Sequence, residues 1–177
     1  MATNRFLFAL LPPPLPRNLI GVQRDQLGIA ESVVENERLH ITLGITEDYE
    51  QQPYAEVQRL IEIGAQVSAA PVPVTLDRVS ASNETIALRP SRKIDALAEL
   101  VHRLQQGLAR AGLLRRSWNY HPHMTLLYRK GTPFTRTITP IGWEAIDFVL
   151  IHSLIGAHRH VELGRWPLVD RQGAFGF

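Results

Sequence analysis

Two five-residue segments, Leu39-His40-Ile41-Thr42-Leu43 and Pro122-His123-Met124-Thr125-Leu126, alternate strictly between apolar and polar side chains. Successive side chains of a β-strand point to opposite faces. Each segment therefore reads as a half-buried strand. Leu39, Ile41 and Leu43 anchor one in the core, and Pro122, Met124 and Leu126 anchor the other. On the open face His40 stands beside Thr42, and His123 beside Thr125, about 7 Å apart along each strand. No other histidine in the chain has a threonine two residues on.

The rest of the chain fits around these strands. Arg5 to Leu11 reads as a buried first strand that runs into Pro12, Pro13 and Pro14. A short helix is expected within 17–36. Tyr54, Val57, Leu60 and Ile61 fall at helical spacing after Pro53, a first-turn proline. Pro73–Ser80 and Thr85–Arg89 read as a hairpin around Ala81-Ser82-Asn83. Ile94, Leu97, Val101, Leu104 and Leu108 mark a helix over 91–112, with Ser91 and Gly112 at its caps. Strands are expected at 121–128, 143–154 and 159–163. Helices and hairpins alternate irregularly, which points to an α+β fold with largely antiparallel sheet. No linker or low-complexity stretch divides the chain, so residues 1–177 read as one domain.

Composition excludes several kinds of chemistry. The chain has no cysteine, so thiolate nucleophiles, disulfide scaffolds and cysteine metal sites are ruled out. No apolar run approaches the roughly 20 residues of a membrane-spanning helix, and the expectation is a cytoplasmic protein. Charge is unevenly placed. Residues 1–100 carry 9 Lys and Arg against 13 Asp and Glu, whereas residues 101–177 carry 10 against 4. Five of the seven histidines lie beyond residue 120. A basic second half suits an anionic ligand such as phosphate or nucleic acid.

If the two motif strands lie near each other, two imidazoles and two hydroxyls converge in one cleft. Histidine titrates near pH 6.5, so one ring is able to give a proton to a leaving oxygen while the other takes one from water. Threonine hydroxyls donate to non-bridging phosphate oxygens. This set suits hydrolysis of a phosphodiester, such as a strained 2′,3′-cyclic phosphate, with no cofactor. A zinc hydrolase is the rival reading, because His121-x-His123 and His158-x-His160 each have the spacing of a metal pair on a strand. The other reading of His158 and His160 is a pair of exposed groups on a basic rim. Trp118, Tyr120, Tyr128 and Trp143 bracket the second motif; Tyr120, Tyr128 and Trp143 are candidates for stacking on a base, or else ordinary core aromatics. Arg115 and Arg116 are candidate backbone contacts or solvated loop residues.

With these residues in hand, the sequence resembles the RNA 2′,3′-cyclic phosphodiesterases, also called 2′-5′ RNA ligases or LigT-like proteins, of the two-histidine phosphoesterase superfamily. The resemblance rests on the two motifs 83 residues apart. It extends to the first strand Arg5–Leu10, to Phe148-x-Leu150 followed by Ser153, and to Leu163-Gly164-Arg165-Trp166-Pro167-Leu168. It implies a bilobal α+β fold, with two antiparallel sheets facing across a central cleft and helices outside. It also implies metal-independent hydrolysis of a terminal 2′,3′-cyclic phosphate to a 2′-phosphate, with 2′-5′ ligation as the reverse reaction. By the same resemblance His40 is the general acid, His123 the general base, and Thr42 and Thr125 hold the phosphate. The implied partner is an RNA or oligonucleotide ending in a 2′,3′-cyclic phosphate, or a small cyclic nucleotide, bound by a monomer away from membranes. A non-catalytic RNA-end binder is the remaining alternative. The chain departs from the family where an arginine commonly follows the second motif. Tyr128 stands there, and Arg129, one residue on, is expected to take the phosphate-neighbouring role.

Overall fold

The computed structural model describes residues 3–28 and 30–169. The elements run β1 (Thr3–Leu10), α1 (Pro14–Asp25), β2 (Ser32–Val33), a 3₁₀ turn (Asn36–Arg38), β3 (Ile41–Ile45), α2 (Tyr54–Gln66) and β4 (Val72–Ala81). They continue with β5 (Thr85–Arg89), α3 (Asp95–Arg110), β6 (Met124–Tyr128), β7 (Phe134–Ala145), β8 (Asp147–Ile155) and β9 (Arg159–Pro167). The strands form a four-stranded sheet, ordered β3-β1-β8-β9, and a five-stranded sheet, ordered β2-β6-β5-β4-β7. All the pairings are antiparallel. The fold is α+β, with one motif strand in each sheet.

Helices α2 and α3 pack on the four-stranded sheet, and α1 packs on β6 and β7 of the other. The alternation of β1 separates two environments. Phe6, Phe8 and Leu10 enter the main core with Phe148 and Leu150 of β8. Leu7 and Ala9 face the opposite way and join Ile45, Val149 and Ile151 in a second, smaller cluster. Phe6, Phe8 and Phe148 are wholly buried, and each stabilises the fold by about 1.5–3 kcal/mol.

Some elements differ from the sequence expectation. Helix α1 begins inside the proline run, at Pro14, because proline fixes a helical φ and its missing N–H has no partner to lose in the first turn. In α2 Tyr54 is exposed and Ile63 takes its place in the buried stripe with Val57 and Leu60. Helix α3 starts four residues after the expected cap. Ser91 instead bonds the Asp77 carboxylate through its N–H (2.7 Å) and its hydroxyl (2.5 Å). The other end behaves as expected: Gly112 adopts φ +68°, and Leu113 N–H reaches back to the Leu108 carbonyl at 2.8 Å. The single strand expected at 143–154 is two strands. β7 ends at Ala145 in one sheet and β8 starts at Asp147 in the other, so the chain crosses between sheets at exposed Ile146. Ala145-Ile146-Asp147-Phe148 carries no glycine or proline, so the sequence gives no turn signal at that crossing.

Candidate active site

Both histidines sit one residue before the first paired residue of their strand, His40 before β3 and His123 before β6. The alternation holds through both motifs. Leu39, Ile41 and Leu43 are buried, as are Met124 and Leu126, whereas His40, Thr42, His123 and Thr125 are half-buried and line one cleft. The cleft has a volume of about 900 Å³.

The two imidazoles are held identically. His40 Nδ1 lies 2.7 Å from the Arg38 carbonyl, and His123 Nδ1 lies 2.7 Å from the His121 carbonyl. A carbonyl only accepts, so Nδ1 carries the proton in each ring. That leaves Nε2 as the titrating atom, with the ring orientation fixed by the backbone two residues upstream. Burial lowers the pKa of His40 below the usual histidine value; the Arg38 carbonyl opposes this, and the charges of His123 and Arg38 add to the lowering. Burial likewise lowers His123, opposed by the His121 carbonyl and assisted by Arg89 and His121. In the free protein both rings are therefore biased toward neutrality. A phosphate monoanion bound between them reverses the bias, because an opposite charge favours the protonated form.

Other groups surround the pair. His160 of β9 stands with its ring centroid 5.3 Å from that of His40, edge to face. Its pKa is pushed down to about 4, first by burial and then by the charges of His40 and Arg38. β9 and β3 are opposite edges of one four-stranded sheet, about 14 Å apart if it were flat. The close approach means that the sheet coils until the β8–β9 hairpin reaches over the cleft. His158 in that hairpin turn has φ +51° and also lines the cleft, as do Ser153, Arg38 and Arg5. Glu35 is the one carboxylate among the described lining residues.

The remaining expectations divide. Tyr128 lines the cleft and is 46% exposed, with its ring available to a ligand. Arg129 does not line it. One residue further along a strand reverses the face, and its guanidinium curls over its own turn, donating to the Thr132 carbonyl at 3.1 Å and lying 5.6 Å from the Phe134 ring centre. Tyr120 is partly buried against the main core and burial raises its phenol to about 12; its neighbour Trp118, 6.2 Å away, is the aromatic that reaches the cleft. Trp143 packs on the main core from β7, opposite Val74, away from the cleft. Arg115 bonds Asp48 and the Thr46 carbonyl rather than projecting freely, and the Arg116 N–H is bonded to Glu47. His152 stacks on Phe6 at 4.6 Å and bonds Asn4, and His102 bonds Gln106. Among the described residues no three His, Asp or Glu are grouped to hold a metal, and Glu162, beside the second histidine pair, is bonded to Arg165.

Sequence reasoning missed Arg38 and the part played by His160. Arg38-x-His40-x-Thr42 continues the alternation upstream, a signal that was readable. His160 meets His40 only through the coiling of the sheet, which no local pattern encodes.

A family model described as the 2′-5′ RNA ligase superfamily matches residues 12–152, spanning both motifs. The chain belongs to this superfamily. Solved structures agree with the fold over nearly the whole length. Escherichia coli LigT in its apo form superposes with a TM-score of 0.79 at 24% identity, covering 96% of this chain and 100% of that one. The same protein complexed with 3′-AMP gives 0.80 at 23% identity, with 95% and 99% covered. TT0787 of Thermus thermophilus gives 0.72 at 16% identity, with 94% and 99% covered. No curated protein sequence matches the chain. Among the described residues, no helix is long and apolar enough to cross a membrane.

Proposed function

We propose that this protein is an RNA 2′,3′-cyclic phosphodiesterase acting through its two histidines. The observation that carries the reading is the repeated geometry: in each sheet a backbone carbonyl fixes an imidazole through Nδ1, beside a threonine hydroxyl in the same cleft. His123 Nε2 takes a proton from water as the water oxygen attacks phosphorus. The P–O3′ bond breaks in line with that attack, and His40 Nε2 gives its proton to the 3′ oxygen. The products are a 2′-phosphate and a free 3′ hydroxyl, and each histidine ends in its partner's starting protonation state. Thr42 and Thr125 donate to the non-bridging oxygens, whose charge grows in the transition state. With the 5′ hydroxyl of a second strand attacking phosphorus in place of water, and the P–O3′ bond again breaking, the same pair would join RNA 2′-5′.

The complex of the related E. coli protein with 3′-AMP supports a nucleotide as the occupant of such a cleft. Trp118 and Tyr128 offer apolar faces to its base. The test is hydrolysis of an oligoribonucleotide ending in a 2′,3′-cyclic phosphate, in EDTA, with the 2′- and 3′-phosphate products resolved. Turnover to the 2′-phosphate, reduced about 10²–10⁴-fold in both His40→Ala and His123→Ala, is expected. Turnover that requires added zinc, or a 3′-phosphate product, would overturn the mechanism.

A further inference from the structure

Five arginines are bonded to carboxylates: Arg5 and Arg115 to Asp48, Arg24 to Asp25, Arg103 to Glu99, Arg165 to Asp147 and Glu162. Arg78 and Arg89 have no carboxylate partner among the described residues, and they stand side by side. Arg78 of β4 is directly opposite Arg89 of β5. The next strand pairs Leu88 with Met124, and continuing that register one residue past the end of β6 sets Arg89 opposite His123, whose ring feels its charge. Directly opposed residues of antiparallel strands share a face. His123, Arg89 and Arg78 therefore form a row across three strands, each step about 4.8 Å. Exposed Thr137 of β7 follows next to Arg78 and extends the row with a hydroxyl.

Like charges directly opposed in a sheet are destabilising, and burial adds to the cost. Here both apply. The pKa of Arg89 is lowered by burial and by the Arg78 charge, and the Arg89 charge in turn lowers that of His123. Arg78 donates from Nη2 to the Pro90 carbonyl at 3.1 Å, which anchors the side chain, while its Nε is buried with no partner. A second anion beside the row would relieve the repulsion between the two guanidinium groups.

We infer that Arg89 and Arg78 form a second phosphate site, one strand out from His123, which holds the backbone phosphate on the 5′ side of the terminal nucleoside. This rests on the cyclic phosphodiesterase reading for the identity of the first phosphate. It specifies the substrate further: an oligonucleotide, with at least one internucleotide phosphate, in preference to a 2′,3′-cyclic mononucleotide that has none.

The experiment compares kcat/KM for 2′,3′-cyclic AMP with that for a diadenylate ending in a 2′,3′-cyclic phosphate. The wild type is expected to favour the dinucleotide about tenfold, the worth of one charge-assisted contact. Arg78→Gln is expected to abolish most of that preference, chiefly through KM, and Arg78→Lys to retain part of it. Equal kcat/KM for the two substrates in the wild type, or an equal loss on both in Arg78→Gln, would overturn the inference. A binding arm separates this from the function itself. For a short single-stranded RNA ending in a 2′-phosphate, the salt slope should fall by about 0.7 in Arg78→Gln, the release of one phosphate contact. If the wild type hydrolyses neither substrate, the functional reading fails and the slope alone decides; an unchanged slope overturns the second site.

Discussion

Replacing Thr42 and Thr125 by valine separates chemistry from folding. Valine keeps the branched shape of threonine and removes only the hydroxyl. The hydrogen bonds that fix each motif run through the imidazole Nδ1, not through the hydroxyl two residues on. The threonine hydroxyl is thus free for a ligand, and its loss should leave stability within about 0.5 kcal/mol. Its effect should fall on catalysis instead. Losing one donor aimed at developing charge costs about 10²–10³-fold in kcat, or about 2.7–4 kcal/mol. The double variant should lose less than the product of the two, because both donors serve one phosphate. Thr46→Val is the control. That hydroxyl is buried, accepts the Phe6 N–H at 3.2 Å and donates to the Glu47 carbonyl at 2.8 Å. Removing it leaves a buried N–H without its acceptor at about 1–3 kcal/mol, which lowers Tm by about 2–12 °C in a domain this size. Single-turnover kcat and a thermal melt on each variant read the two effects apart. A fall in Tm for Thr42→Val or Thr125→Val like that of Thr46→Val, or kcat within a few-fold of wild type, would refute the assignment of these hydroxyls to the phosphate.

Acid should weaken the fold before its carboxylates are titrated. His40, His123, His152 and His160 all have pKa values lowered from 6.5, His160 to about 4. Between about 4 and 6.5 the unfolded chain binds protons that these rings do not, so stability rises with pH across that window. Melts from pH 4.5 to 7.5 should show this, and His160→Gln should flatten the curve; a flat wild-type curve would contradict the burial described. Gly64→Ala sets helix propensity against packing. The substitution favours the helix by about 1 kcal/mol, but the new Cβ would lie 2.5 Å from the Trp166 ring, an overpacking that costs about 1–3 kcal/mol. Tm should fall, and a rise would mean that Trp166 yields without cost. Arg129→Ala should change kcat/KM by less than about twofold, since surface contacts like those it makes with its own turn are worth little; a tenfold loss in the hydrolysis assay would return Arg129 to the phosphate.

What could be read from residues alone was whatever has a short period. The alternation through His40 and Thr42, and again through His123 and Thr125, is a property of strands, and it brings four side chains to one cleft. The stripe of α3 is local in the same way. Where a single step of register matters, sequence reasoning failed. Arg129 follows Tyr128 in the chain, yet the strand turns it to the other side. Where contacts link distant segments, there was nothing to read. The pairing of His160 with His40 depends on the coiling of a sheet, and the row from His123 to Arg78 depends on the registers of three strands. The crossing at Ile146 was hidden because a residue leaving one sheet for another needs no glycine or proline when both flanking strands are extended.

The interleaving of the two sheets also fixes when the cleft can exist. Phe8 pairs with Gly44 on one side and Leu150 on the other, so β1 can meet β3 early but becomes a central strand only when β8 has been made. At a synthesis rate of about 5–20 residues per second, it waits roughly 7–30 s for this second partner. The five-stranded sheet faces no such delay beyond β7, and its part of the cleft, with His123, can be in place while His40 still lies on an unfinished wall. Only the arrival of β8 and β9 then completes the wall that carries His40, so the two halves of the cleft are finished in a fixed order.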